Sequence, residues 1–224
     1  MPELIFIHNP KTGGLSFLHT LNEVYGQENV KQIWDLLPWH DSILHTPDSI
    51  FYREYAHFLQ ITHKALEEAP EYKVLHGHMP AFVIDGFYPG AKRIAWVRHP
   101  IDQVLSRVFH FRKERLNDAH HWVSPWALAT EPIFRNCQSF YLGNSLRQFD
   151  FVGVLEHYNE DFKTCCDLMG WTNVEPVHYH PTEHETDRRC ALECDMDFLE
   201  HMAGINLLDF MLYDQVRELR GTWS

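Results

Sequence analysis

The apolar run Leu4-Ile5-Phe6-Ile7 breaks directly into His8-Asn9-Pro10-Lys11-Thr12-Gly13-Gly14, after which Leu15, Phe17, Leu18 and Leu21 recur at helical spacing. A short apolar run bounded by Pro and Gly reads as a buried strand, here Glu3 to His8, and the pattern after it as an amphipathic helix. The alternation repeats along the chain. Tyr72 to Gly77 reads as a second strand. Lys92 to Arg98 is a third, stopped by Pro100 and followed by a helix from Ile101 to Arg115. Phe149 to Leu155 is a fourth, followed by a helix through about Met169. Ser49 to Ala69 and Asp195 to Leu219 are helical in pattern. Strands alternating with helices predict an α/β fold, a central parallel sheet flanked by helices. Ligands on such sheets bind at the carboxyl ends of the strands. The loops after His8, Gly77 and Arg98 are therefore expected along one edge.

The chain of 224 residues suits a single domain, 1–224, and its 45% apolar share supplies a proper core. A net charge of −12 argues against nucleic acid as a partner, because phosphate backbones select basic surfaces. It also disfavours a highly anionic polymer as ligand unless basic residues gather locally. The longest apolar runs, such as Ile94-Ala95-Trp96-Val97, are far too short to span a bilayer. Met1-Pro2-Glu3 offers no basic flank before the first strand, so no secretory signal is expected. Cys137, Cys165, Cys166, Cys190 and Cys194 form no evident disulfide framework and read as reduced thiols. A cytoplasmic location follows, unless the chain is a piece of an anchored protein.

The first loop is built for an anion. Gly13 and Gly14 let the backbone curl, the helix start offers N–H groups and a positive dipole end, and Lys11 adds a full charge. Thr12 and Ser16 add hydroxyls. The arrangement is not the nucleotide loop G-x-x-x-x-G-K-[ST], because the lysine precedes the glycines, which demotes an ATP-using reaction. Thr-Gly-Gly can also be a plain turn before a helix. A second element is Arg98 at a strand end with Ser106 eight residues on, about two turns into the next helix. An arginine fork and a hydroxyl make a second phosphate site. Two anion sites on one edge point to a ligand with two separated phosphates.

Pro10-Lys11-Thr12-Gly13-Gly14-x-Ser16 resembles the 5′-phosphosulfate loop of sulfotransferases that use 3′-phosphoadenosine-5′-phosphosulfate (PAPS). Val97-Arg98-His99-Pro100 with Ser106-Arg107 is similar to their 3′-phosphate segment. Phe151 to Glu156 and the closing Asn206-x-x-Asp209-x-x-Leu212-Tyr213 resemble later parts of the same family. The resemblance implies a P-loop-like sulfotransferase fold without nucleoside triphosphate hydrolysis. It implies PAPS as co-substrate, 3′-phosphoadenosine-5′-phosphate (PAP) as product, and Lys11 acting on the bridging oxygen as the sulfuryl group leaves. Lys11, Thr12, Gly13, Gly14, Ser16, Arg98 and Ser106 are then the co-substrate residues.

Transfer to an alcohol needs a base, and histidine suits that near neutral pH. His76-Gly77-His78 ends the second strand and resembles the segment of the uronyl and heparan 2-O-sulfotransferase branch whose second histidine is catalytic. His78 is the expected base, His76 an auxiliary acceptor-side residue, and His8 a structural one. The 17 histidines of the chain leave a packing role open for each. The partner is an acceptor with a free hydroxyl, a carbohydrate or a small-molecule alcohol. Trp34, Trp39, Phe51, Tyr52, Trp122 and Trp126 are core residues or walls of its pocket. His178, His180, His184, Cys190 and Cys194 are metal ligands by type, but their spacing fits no standard finger and a solvated loop is expected, with no metal. Arg188 and Arg189 read as surface residues, although a late basic loop caps the 3′-phosphate in related sulfotransferases. Two other readings stay open: a phosphotransferase with a degenerate loop, and a PAP-binding module without transfer.

Overall fold

The structure, a computed structural model, describes residues 1–33, 60–114, 124–143, 145–178 and 186–223. Five parallel strands form one sheet: β1 (Leu4–Ile7), β2 (Val30–Ile33), β3 (Val74–Gly77), β4 (Lys92–Val97) and β5 (Phe151–Val154), in the order β2-β3-β1-β4-β5. All four residues of β1 are buried, which is the expected state of a central parallel strand covered on both faces. Ile7 lies level with Gly77 of β3 and Ala95 of β4. The loops leaving β1, β3 and β4 therefore emerge side by side at one edge.

Helices cover both faces. On one face, α1 (Gly14–Tyr25) and α7 (Tyr158–Met169) bring Phe17, Leu21, Phe162 and Cys165 onto Leu4, Phe6, Ile94 and Trp96. On the other lie α2 (described over 60–67), α3 (Ala81–Ile84), α6 (Cys137–Leu142) and α10 (Leu207–Leu219). They set Leu66, Ile84, Leu142 and Leu212 against Ile5, Ile7, Ala95 and Val152. Alternate residues of each strand thus serve opposite faces, and each such large side chain contributes about 1.5–3 kcal/mol by leaving water. A third cluster joins α4 (Pro100–Glu114), α5 (Pro125–Ala129) and α9 (Met196–Ile205) through Val104, Val108, Leu128, Phe198 and Met202.

Several elements differ from the sequence reading. β2 was not expected, because Val30 and Ile33 enclose the half-buried polar pair Lys31 and Gln32 and leave no apolar run. The expected helix from Asp195 to Leu219 is two helices, broken at Asn206. The Asn206 Oδ1 accepts the Asn136 N–H at 2.9 Å, and its own Nδ2 donates to the Met202 carbonyl. Thr186–Glu193, within the expected solvated loop, forms α8. Residues 49–59 of the expected helix from Ser49 lie outside the described residues.

The closing Asn-x-x-Asp pattern has a visible structural task. The fully buried Asp209 accepts the Gln138 and Ser139 N–H groups at 3.1 and 2.7 Å, capping the first turn of α6. Burial raises its pKa, against the lowering effect of those hydrogen bonds and of the Arg107 charge. This latch sets where Gln138 stands. No helix among the described residues is long and apolar enough to cross a membrane.

Candidate active site

The chain turns sharply after β1. Lys11 has φ of +64° and Gly13 +84°, both left-handed. For Gly13 that conformation carries no side-chain penalty, whereas for Lys11 it costs about 1–2 kcal/mol, a strain typical of functional loops. The Thr12 hydroxyl donates inward to the Asn9 carbonyl at 2.8 Å and closes the turn. α1 begins at Gly14 with no side-chain cap and no acidic residue in its first turn. Its leading N–H groups and positive end thus meet no protein carboxylate from their own helix, the arrangement an anion requires. Gly14 has a further reason to lack a side chain: a Cβ there would stand 1.9 Å from the His8 ring.

The β4–α4 loop is joined to this one by hydrogen bonds. The buried Gln138 accepts the Arg98 N–H at 2.8 Å and the Asn9 Nδ2–H at 3.1 Å through Oε1, and donates from Nε2 to the Arg98 carbonyl at 2.8 Å. Gln103 Nε2 donates to the Pro10 carbonyl at 3.0 Å, and Arg98 Nη1 reaches the Lys11 carbonyl at 3.4 Å. Ser106 is half-buried one turn beyond Gln103 on α4, at the spacing that shares its face. Burial lowers the Arg98 pKa; Asp102 opposes that shift and the Arg189 charge adds to it. Arg189, on α8, pairs with Asp102 at 2.9 Å and with Glu193 at 2.7 Å. It therefore stands beside the Arg98 loop.

Three imidazoles meet where β1 and β3 end. The His8 ring centroid lies 5.0 Å from His76 and 4.6 Å from His78. Backbone bonds fix the alignment: His8 N–H donates to the Gly77 carbonyl at 2.8 Å, and His78 N–H to the Ile33 carbonyl at 3.1 Å. Burial, then the neighbouring His78, His76 and Lys11 charges, push the His8 pKa well below its ordinary value. Burial is also the first cause for His76, which falls to about 3 despite the bond to Gly14. Its Nε2 lies 3.3 Å from the Gly14 carbonyl, which can only accept, so the neutral ring carries its proton there. His78 is the half-buried member of the three.

All the sequence candidates on these loops lie in or beside this edge. Asn9, Gln103, Gln138 and Glu156 were missed; Glu156 accepts the His99 N–H at 2.8 Å. Asn9 sat in the first loop and Glu156 at the end of the Phe151 to Glu156 segment, both without a role; Gln103 and Gln138 are recognised solely by distant partners. Among the described residues no three His, Cys, Asp or Glu side chains gather as a metal site. Cys190 and Cys194 are exposed, His178 bonds Asn159, and His180 and His184 lie outside the described residues. Trp34, Trp39, Phe51, Tyr52 and Trp122 lie outside them too, while Trp126 packs on Phe198 at 5.1 Å.

No protein-family model matches the sequence, and no curated protein matches it. The solved structure of a sulfotransferase from Alicyclobacillus acidocaldarius is similar over 94% of this chain and 96% of its own, with a TM-score of 0.38 and 15% identity. Likeness at that level leaves function to the chemistry of the site.

Two tests address this geometry. Gln138→Leu leaves the Arg98 N–H and carbonyl and the Asn9 amide without their buried partner, and should cost about 2–5 kcal/mol in urea unfolding. A loss under about 0.5 kcal/mol, the range of a neutral surface change, would show that the loops hold without it. The second test is pH. An unfolded imidazole takes up a proton near 6.5 whereas folded His76 does so at about 3, so its contribution is complete above 6.5 and lost as pH falls through that window. At pH 5 the loss from His76 is about 2 kcal/mol. His76→Phe should flatten that part of the stability curve between pH 7 and 5, and an unchanged curve would contradict a neutral buried ring.

Proposed function

We propose that this chain is a PAPS-dependent sulfotransferase that moves the sulfuryl group to an acceptor hydroxyl. The observation that carries the reading is the pair of anion-ready loops, after β1 and after β4, held together through one buried amide with histidines alongside. A ligand with phosphates at both ends of a nucleoside suits two such loops. The uncapped start of α1, with Lys11, Thr12, Gly13, Gly14 and Ser16, suits the 5′-phosphosulfate. Arg98 and Ser106 suit the 3′-phosphate, and Arg189 stands ready beside them.

The step balances simply. The acceptor oxygen forms a bond to sulfur as the bond from sulfur to the 5′-phosphate oxygen breaks. The electron pair leaves with PAP, and Lys11 stabilises the charge growing on that oxygen, an interaction strongest in the transition state. The hydroxyl proton goes to His78. Of the three imidazoles, His8 and His76 are held neutral by burial and take up a proton poorly, which favours His78 as the base. His76 then orients the cluster by its bond to Gly14 and borders the acceptor side.

PAP should raise the melting temperature far more than ADP without magnesium, since only PAP carries the 3′-phosphate. Arg98→Ala should erase most of that difference; equal shifts in the wild type would remove the 3′-phosphate site, and a preference for ADP with magnesium would favour a phosphotransferase. Once an acceptor is found, His78→Ala should lower transfer by about two to four orders of magnitude, the usual worth of a positioned base. The PAP-induced shift should persist in that variant. Near-full transfer with an unchanged pH profile would place the base elsewhere.

A further inference from the structure

We infer that Cys190 and Cys194 are a modification site: they close into a reversible disulfide across the last turn of α8, and closing it loosens Arg189 from Asp102. These two thiols are exposed, whereas Cys137, Cys165 and Cys166 are buried. Burial pushes the Cys165 thiol well above its ordinary pKa and Cys166 up to about 11, so neither readily supplies an attacking thiolate. The backbone already brings the exposed pair together. Cys194 N–H donates to the Cys190 carbonyl at 3.1 Å, the four-residue step that sets side chains on one helix face. Cβ atoms at that step are about 5–6 Å apart, and a disulfide needs about 3.5–4.5 Å, so the turn must tighten by about 1–2 Å.

α8 can yield that much. None of its residues is buried, and Cys194 follows its last residue. The next amide, Asp195 N–H, donates only three residues back, to the Leu192 carbonyl at 3.2 Å, so the end of the helix is already drawn in. A helix with so little buried surface deforms at low cost. A disulfide closed under tension is readily reopened by a thiol. Glu193, between the cysteines, carries the change to Arg98. It accepts from Arg189 Nε at 2.7 Å, and Arg189 Nη2 donates to Asp102 at 2.9 Å. The charges of Asp102, Arg189 and Glu193 all act on the Arg98 guanidinium. Drawing Cys194 toward Cys190 pulls Glu193 off Arg189, which loses half of what holds it beside Arg98. The oxidant is a small disulfide such as oxidised glutathione. One cysteine thiolate attacks its sulfur and expels a glutathione thiolate; the second attacks the mixed disulfide and expels the other. The protein gives up two protons and two electrons, and the two glutathiones take them up.

The effect on PAP rests on the transfer reading above; the bond itself does not. The full chain is treated with oxidised glutathione and digested with trypsin, and the peptide 190–217, which holds both cysteines, is weighed. It should lose two hydrogens, keep no glutathione, and regain the hydrogens in a monothiol. Cys190→Ser should instead retain one glutathione, because the thiol that resolves the mixed disulfide is gone. By calorimetry, oxidation should weaken PAP binding about tenfold, the worth of a loosened charged hydrogen bond. The double variant Cys190→Ser, Cys194→Ser should bind PAP equally with and without oxidant. Both thiols left free, glutathione kept on both, or a bond formed only between chains overturns the inference. A closed bond with unaltered PAP affinity overturns the link to Arg189. A closed bond in a chain that binds no PAP, reduced or oxidised, upholds the disulfide and removes the transfer reading.

Discussion

One buried side-chain amide joins the loops that follow β1 and β4. Gln138 has no exposed surface, and its oxygen and nitrogen are both spent on Asn9 and on the backbone of Arg98. Leaving any of those groups dry and unpaired is expensive, so the loops after β1 and β4 are held in register by what a rupture would cost. Gln138 in turn stands where it does because Asp209 caps α6. The dependence runs from α10 through α6 to both loops, although no residue of α10 need touch a ligand.

The histidine cluster shows burial distributing roles among identical side chains. His8 and His76 sit in the strand-end packing with Phe6, where a proton on either ring is disfavoured. Both rings are held neutral there by burial. The close fit of His8 over Gly14 also ties the cluster to the start of α1.

Much of the fold was legible because buried parallel strands are written as apolar runs: Leu4–Ile7, Val74–Gly77, Lys92–Val97 and Phe151–Val154 lie within the expected strands. β2 was not, since an edge strand with Lys31 and Gln32 half-exposed has no such run. The break at Asn206 was hidden by apolar residues that keep helical spacing across it. At the site, Lys11, Gly13, Gly14 and Arg98 were marked by local chemistry, a charge beside glycines or at a strand end. Gln138 had no local mark at all. Its partners are 129 and 40 residues away, and only the folded chain brings them together. Arg189 was read as a surface residue because its partner, Asp102, belongs to a helix 87 residues earlier.

The central place of β1 also has a consequence for synthesis. Leu4 pairs with Val74 and with Lys92, so β1 waits for partners 70 and 88 residues downstream. At typical translation speeds that interval is on the order of ten seconds. Throughout it, Leu4-Ile5-Phe6-Ile7 is a greasy, edge-competent segment on a nascent chain, with neither neighbour to shield it. The ladder rests on non-local pairings, the kind that close slowly because a long loop must be ordered first.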